Sequence, residues 1–314
     1  MTTKTVEPIQ VKQMLNRVKE ERMPFTWSIN PYRGCAHGCS FCYARAFQSF
    51  IGMGAQDEFQ NHLFVKTNAA EALERQLAAT ARRLRLRPEE TGANVGTVAI
   101  GTATDPYQPL EAQAKLTRAC LEVLAKYRVP TTVTTRSPLI LRDKDLLREM
   151  NITSINISIN TLDAEATRKL EPAAPLPAKR LETVEELASC GIPTGVFLAP
   201  ILPFLTDSDE SLEALFAAAK SRNAVFAMNA VLRLTPDVKQ WFYLTLERHY
   251  PELVASYAKL YRGAYAEQQY LSALKARVRA LAGKYGLSGN VPEQPQAALP
   301  KAKPQPAEQL MFSF

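Results

Sequence analysis

Between residues 95 and 230, apolar positions switch repeatedly between two periods. Short runs rich in β-branched residues fall at Val95–Gly101, Pro130–Thr135, Ile152–Ile159, Pro193–Ala199 and Asn223–Ala230. Between them, apolar residues at helical spacing predict helices over Glu111–Tyr127, Arg142–Met150, Ala178–Cys190 and Ser208–Lys220. Strands alternating with helices of about 10–17 residues are the mark of βαβ units and a parallel sheet. Upstream, Ser28–Tyr32 reads as a strand end before a turn, which brings the parallel strands to six. A closed barrel needs eight, so the expected fold is α/β, a partial (βα)6 TIM-type barrel, with ligands at the C-terminal ends of its strands. His62–Lys66 predicts another short strand. Asn68 with Glu71 three residues on predicts a capping box for a helix over Asn68–Arg87. Val6–Arg22 is polar with scattered apolar positions and reads as a short helix.

After Pro236 the pattern becomes helical throughout, over Val238–Gly286. Between Val238 and Lys284 there are eight Lys or Arg against three Glu, a net of +5. From Ser288 a Pro-, Gln- and Ala-rich tail lacks periodicity and is expected to be disordered. The expected organisation is therefore an N-terminal extension (1–24), the partial barrel (25–236), a basic helical C-terminal extension (237–287) and the tail (288–314).

Hydrophobic residues make up 46% of the chain and charged residues 22%, which suits a globule and excludes global disorder. No run of about 18 apolar residues exists, and Met1–Gln10 has no apolar leader core, so a cytoplasmic location is expected, away from membranes. The net charge of +7 favours anionic partners. Arg82, Arg83, Arg85 and Arg87 add to this. Tyr257, Tyr261 and Tyr265 recur every four residues, a stripe that either stacks on bases or packs the helix onto the barrel. Five cysteines, three of them within GCAHGCSFCYAR (Gly34–Arg45), point to a metal rather than to disulfides.

Cys35, Cys39 and Cys42 stand as C-x3-C-x2-C. Three thiolates this close can each take one iron of a cubane and leave the fourth open. The rival is a zinc site closed by His37, which would make the chain a nucleic-acid-binding module without catalysis. His37, His62 and His249 show no ligand spacing with one another, which argues against acid–base chemistry by histidine. Asn156, Ser158 and Asn160 share one strand face, a polar row that is hard to explain as core, and Asn229 plays a similar part on the last strand. Cys120 and Cys190 read as structural thiols on helices.

The cysteine spacing and the aromatic before the third cysteine resemble the radical S-adenosylmethionine (SAM) superfamily. NPYRGCAHGCSFCYAR, GTATDPYQPLE and TTRSPLILRD resemble the branch related to spore photoproduct lyase, and the resemblance covers Thr26–Leu234. It implies a [4Fe–4S] cluster on Cys35, Cys39 and Cys42, whose open iron binds SAM. It also implies reductive cleavage to a 5′-deoxyadenosyl radical, which abstracts hydrogen from the substrate. By the same resemblance, Phe41 packs near adenine, and Thr102, Thr104 and Asp105 stand where the SAM amino group is bound. Arg136 meets the SAM carboxylate, and Ser158 and Asn160 line the cofactor. Tyr43 and Tyr107 are the candidate catalytic residues, with Gln108 also facing substrate.

The chain departs from the lyase pattern in having Phe41 before the third cysteine and no cysteine in GTATDPYQP. The expected substrate is DNA or another nucleic acid. A protein, peptide or small metabolite is the alternative. The expected partners are an electron donor such as flavodoxin or ferredoxin, and a sliding clamp bound through Gln309–Phe314.

Overall fold

The computed structural model describes residues 4–21 and 23–287. Its strands are β1 (Thr5–Ile9), β2 (Asn16–Arg17), β3 (Trp27–Ile29), β4 (Tyr32–Arg33), β5 (His62–Lys66), β6 (Val98–Ile100), β7 (Thr131–Thr135), β8 (Ile152–Ser158), β9 (Thr194–Ile201) and β10 (Ala227–Val231). The main sheet has seven strands in the order β10-β9-β8-β7-β6-β3-β2. Six of them, β3 and β6 to β10, run parallel, and β2 pairs antiparallel at the β3 edge. β10 and β2 are separate edges, so the sheet is open, as six strands require. Helices cross between successive strands, and Ile100, Val133, Ile155, Ile157, Val196 and Leu198 form the buried floor.

Several boundaries shift for local reasons. Residues 88–95 are a helix, so β6 begins only at Val98. Asn223 adopts φ of 60°, which delays β10 to Ala227. The helix Ala69–Leu84 starts at Asn68 but has no side-chain cap. The Asn68 amide instead brackets Val11, accepting from its N–H and donating to its carbonyl, both at 2.9 Å. The capping box is therefore absent.

The segment read as a short helix begins as strand β1, in parallel register with β5 from Thr5↔His62 to Ile9↔Lys66. Pro8 lacks an N–H, which suits an edge strand better than a helix interior. With β4 antiparallel on the other side of β5, these strands make a second sheet of three.

The C-terminal helices Pro236–His249, Val254–Leu260 and Gln268–Tyr285 agree with the helical pattern. Tyr257 and Tyr261 are buried in a cluster with Phe242, Leu246 and Phe41. Their hydroxyls donate to the carbonyls of Pro203 (2.5 Å) and Leu232 (2.9 Å). Two members of the tyrosine stripe are thus core, and Tyr265 is exposed. Cys120 is buried on its helix and Cys190 is half-buried. The tail and Gln309–Phe314 lie outside the described residues. No described helix is long and apolar enough to cross a membrane.

Candidate functional site

The cysteine loop leaves β4 through Gly34, which adopts φ of 76°. A Cβ there would lie 2.8 Å from the carbonyl oxygens of both Phe59 and His62, so only glycine fits. Cys35 and Cys39 are buried, Cys42 is half-buried, and all three are free thiols. The loop is fastened from two sides. Ser40 N–H donates to Leu170 O (2.9 Å), and Ala173 N–H donates to His37 O (3.2 Å). Thr104 donates to Gly34 O (2.6 Å), and Ala36 N–H donates to Gln108 Oε1 (2.9 Å).

Arg45 rivets the loop from inside. Its guanidinium is fully buried and donates to the carbonyls of Cys39 (2.9 Å), Gly38 (3.0 Å), Ala55 (3.0 Å) and Gln56 (2.8 Å), and to Gln60 Oε1 (2.6 Å). It also lies over the rings of Phe59 (4.9 Å) and Trp241 (4.8 Å). Trp241 belongs to the C-terminal helices, which thereby brace the loop.

The strand ends supply a line of charges beside the thiols. Gly101, with φ of 93°, ends β6 so close to β7 that a Cβ would meet Thr134 O at 2.2 Å. The turn after it places Asp105 against β7. Asp105 Oδ1 accepts from Tyr107 N–H (2.9 Å) and Thr135 Oγ1 (2.6 Å), and Oδ2 accepts from Arg136 N–H (2.9 Å). His37 Nδ1 is 3.4 Å from the same Oδ2. Burial would raise the Asp105 carboxyl, but His37, Arg136 and Thr135 hold it well below the carboxylate range. Burial lowers His37, yet Cys35 and Asp105 push it up to about 9. Burial also opposes ionisation of Cys35, and His37 outweighs it and leaves that thiol below its ordinary value. Cys39 and Cys42 are raised by burial.

Arg136 Nε lies 3.2 Å from Glu171 Oε2, and Arg180 Nη2 donates to the same oxygen at 2.6 Å. Arg180 also donates to Ser158 O (3.0 Å). Glu171 is buried, which raises it, but the two guanidinium groups keep it low and ionised. Buried polar atoms without a hydrogen-bond partner in this region include Asn156 Oδ1, Asn160 Nδ2, Glu171 Oε1 and Ser40 Oγ, while His37 Nδ1 and Arg136 Nε make only ion-pair contacts. Orphaned polar groups at the ends of parallel strands call for a polar ligand.

The thiols suit a polynuclear group. Among the described residues no three His, Cys, Asp or Glu side chains converge on a single ion. His37 Nδ1 lies 3.4 Å from Asp105 Oδ2, so the imidazole faces that carboxylate. Three thiols on one loop, each free to take a different iron, fit a cubane cluster.

The expected site residues separate into groups. Cys35, Cys39, Cys42, Asp105 and Arg136 come together at this corner, Ser158 joins it through its carbonyl on Arg180, and Asn160 lies buried just past the end of β8. Thr104 and Gln108 face the cysteine loop and hold it. Phe41 is buried in the C-terminal apolar cluster. Thr102 Oγ1 accepts from Asn30 (3.0 Å), and its carbonyl accepts from the Tyr43 hydroxyl. Tyr43 itself is half exposed. Tyr107 is fully buried, and its hydroxyl donates to Asp143 Oδ2 (3.0 Å) within a network of Arg118 and Arg142. Asn229 is exposed on β10.

Asn30, Glu171 and Arg180 were not singled out in the sequence. The Glu-Pro pair at 171–172, closing a short helix, is the one local signal for Glu171.

The Radical SAM superfamily profile matches residues 29–216. An uncharacterized protein of Mycobacterium tuberculosis is 34% identical over 303 residues, covering 94% of this chain and 86% of that protein. A radical SAM Nalpha-GlyT isomerase of Pseudomonas phage M6 is 24% identical over 243 residues, covering 76% of this chain and 45% of that protein. The fold is shared with a spore photoproduct lyase variant with bound AdoMet and dinucleoside spore photoproduct. That match has a TM-score of 0.63 at 14% identity, covering 89% of this chain and 78% of that one. The profile runs from the last residue of β3 through the cysteine loop and β9 into the helix before β10, and the chain therefore belongs to the radical SAM superfamily of enzymes.

Proposed function

We propose that Cys35, Cys39 and Cys42 ligate three irons of a [4Fe–4S] cluster and that the protein is a radical SAM enzyme acting on a nucleic acid. The observation that carries the reading is the set of three free thiols on one fastened loop beside unpartnered polar atoms at the strand ends. A cluster held by these three cysteines would supply one-electron reductive cleavage of SAM and, through it, hydrogen-atom abstraction from the substrate.

The chain's own residues bind and orient. Arg136 receives the SAM carboxylate, held in place by Glu171 through the ion pair at 3.2 Å. Asn160 and Ser158 approach the cofactor from the end of β8, and Thr102 from the end of β6. Phe41 carries the apolar wall toward adenine. Asp105, with both oxygens engaged, fixes the Arg136 backbone and His37. Tyr43, half exposed directly after Cys42, is the residue assigned here to meet substrate. A low-potential flavodoxin or ferredoxin is the proposed electron donor.

Nucleic acid is favoured as substrate by the net charge of +7 and by the dinucleoside held by the lyase of the same fold. The test is anaerobic reconstitution, metal and sulfide analysis, and assay for 5′-deoxyadenosine with dithionite and SAM, with and without DNA. About four irons and four sulfides, with cleavage that DNA alters, support the reading. One zinc per chain and no cleavage would overturn it.

A further inference from the structure

Immediately after Cys42 the chain turns three aromatic rings outward. Tyr43 is 50% exposed, Phe47 38% and Phe50 82%. Tyr43 meets Phe47 edge to face, with centroids 5.9 Å apart and planes at 88°. Phe47 and Phe50 stack, with centroids 6.3 Å apart and planes at 21°. The Tyr43 hydroxyl donates to Thr102 O, so the inner end of this ladder is tied to the turn after β6 and the outer end stands in water.

Exposing a phenylalanine this fully is unfavourable in water without a compensating use. The ladder offers ring faces rather than an aliphatic groove, and ring faces accept nucleobases of any sequence. Two cations stand on the strands leading to the same loops. Arg33 directly precedes Gly34. The Lys66 ammonium donates to Asn30 O (2.7 Å), while the Asn30 side chain holds Thr102 and Ala103 (3.0 and 2.8 Å). Arg33 is half-buried with no acidic partner among the described residues, whereas the Lys66 ammonium is held against Asn30 O in a largely buried setting.

We propose that Phe47 and Phe50 form a stacking platform for an unpaired base of a nucleic-acid strand, next to the mouth of the site. The base lies on the outer face of Phe50 and is held by stacking, and the overall charge of +7, with Arg33 at the entry to the cysteine loop, favours the approach of the phosphate backbone. This rests on the nucleic-acid reading above and adds how the strand is held: by unstacked bases rather than by duplex shape.

The experiment measures fluorescence anisotropy of a short labelled single-stranded DNA against the full-length, cluster-loaded protein. Variants are Phe50→Ala, Phe47→Ala with Phe50→Ala, and Phe50→Trp. Loss of one stacked base is expected to weaken Kd about tenfold in Phe50→Ala, and more in the double variant. Phe50→Trp keeps a ring face and is expected to restore binding. Thermal unfolding of each variant checks that the exposed ring is not a folding element.

Equal Kd for wild type and the double variant overturns the platform while leaving the nucleic-acid reading intact. Wild-type protein that binds no DNA overturns that reading, and the platform with it. A change of oligomeric state in Phe50→Ala with unchanged DNA binding assigns the patch to a second copy of the chain, and also overturns the proposal.

Discussion

Arg136 Nε and Glu171 Oε2 face each other across 3.2 Å, joining the end of β7 to the turn that clamps the cysteine loop. Arg180 shares the same carboxylate oxygen, so one acid balances two guanidinium groups in a buried setting. The pairing fixes the direction of Arg136, and the second carboxylate oxygen remains without a partner.

Glu171→Gln therefore leaves buried Arg180 without its counter-ion and Arg136 with only the Asp105 carboxylate to balance it. Removing one partner of a buried pair typically costs about 3–5 kcal/mol. We expect a loss of stability of that order by denaturant titration. Calorimetry is expected to show weaker SAM binding, because Arg136 is no longer aimed. Glu171→Asp should recover part of both. SAM affinity unchanged in Glu171→Gln would remove Glu171 from the positioning of Arg136.

Gly34→Ala tests the entry to the cysteine loop. The new methyl would meet the carbonyl oxygens of Phe59 and His62 at 2.8 Å, at a backbone φ of 76° that costs a residue with a Cβ about 1 kcal/mol by itself. The Phe59 carbonyl cannot move freely, since it accepts from Cys35 N–H at 3.0 Å. The expected result is protein that folds but retains less iron per chain after reconstitution. Full iron loading in Gly34→Ala would show that the loop tolerates the shift.

Arg45→Lys keeps the charge and removes the fork. The guanidinium serves four carbonyls and one amide oxygen, and an ammonium with three donors cannot reach them all. Several buried carbonyls would lose their partner, at about 1–3 kcal/mol for each left unsatisfied. Hydrogen exchange is expected to speed up over residues 36–48 and to stay unchanged in the main sheet. Uniform exchange across the molecule would mean the variant is globally destabilised instead.

The parts of this molecule that were legible in the sequence are those written locally. Ile152–Ser158 puts Thr153, Ile155 and Ile157 on one face and Ser154, Asn156 and Ser158 on the other, so its period of two can be read without knowing its neighbours. The cysteine loop is also local, since its chemistry lies in spacing along eight residues. β1 has no legible strand signature because its residues are largely exposed and carry no alternation; what makes it a strand is β5, more than fifty residues away. Asn68 was misassigned for the same reason, its amide being taken by Val11 rather than by its own helix. Tyr107 and Gln108 sit in a segment that passes the site, but the turn at Asp105 directs both inward. Glu171 and Arg180 meet only once β8 and its following helices have packed, and no local pattern announces such a pair.

Lys66 offers a pH-dependent test of the packing near the site. Burial, and next the charge of Arg33, pull its ammonium down to about 8 from an ordinary value of 10.5. The folded protein thus releases this proton at a lower pH than the unfolded chain does. Below pH 8 both states hold the proton, and the buried charge weighs against folding. Between about 8 and 10.5 the unfolded chain binds more protons, so this group's contribution to stability rises with pH and is complete above 10.5. Allowing for partial exposure, the span is about 1–3 kcal/mol. Several buried tyrosines titrate near the top of this range, so the informative quantity is the difference between wild type and Lys66→Met. The variant loses the bond to Asn30 O but carries no buried charge. It is expected to gain stability relative to wild type at pH 7 and to lose that advantage steadily as the pH approaches 10. Parallel stability curves for the two proteins would show that Lys66 is solvated in the folded state and titrates as an ordinary lysine.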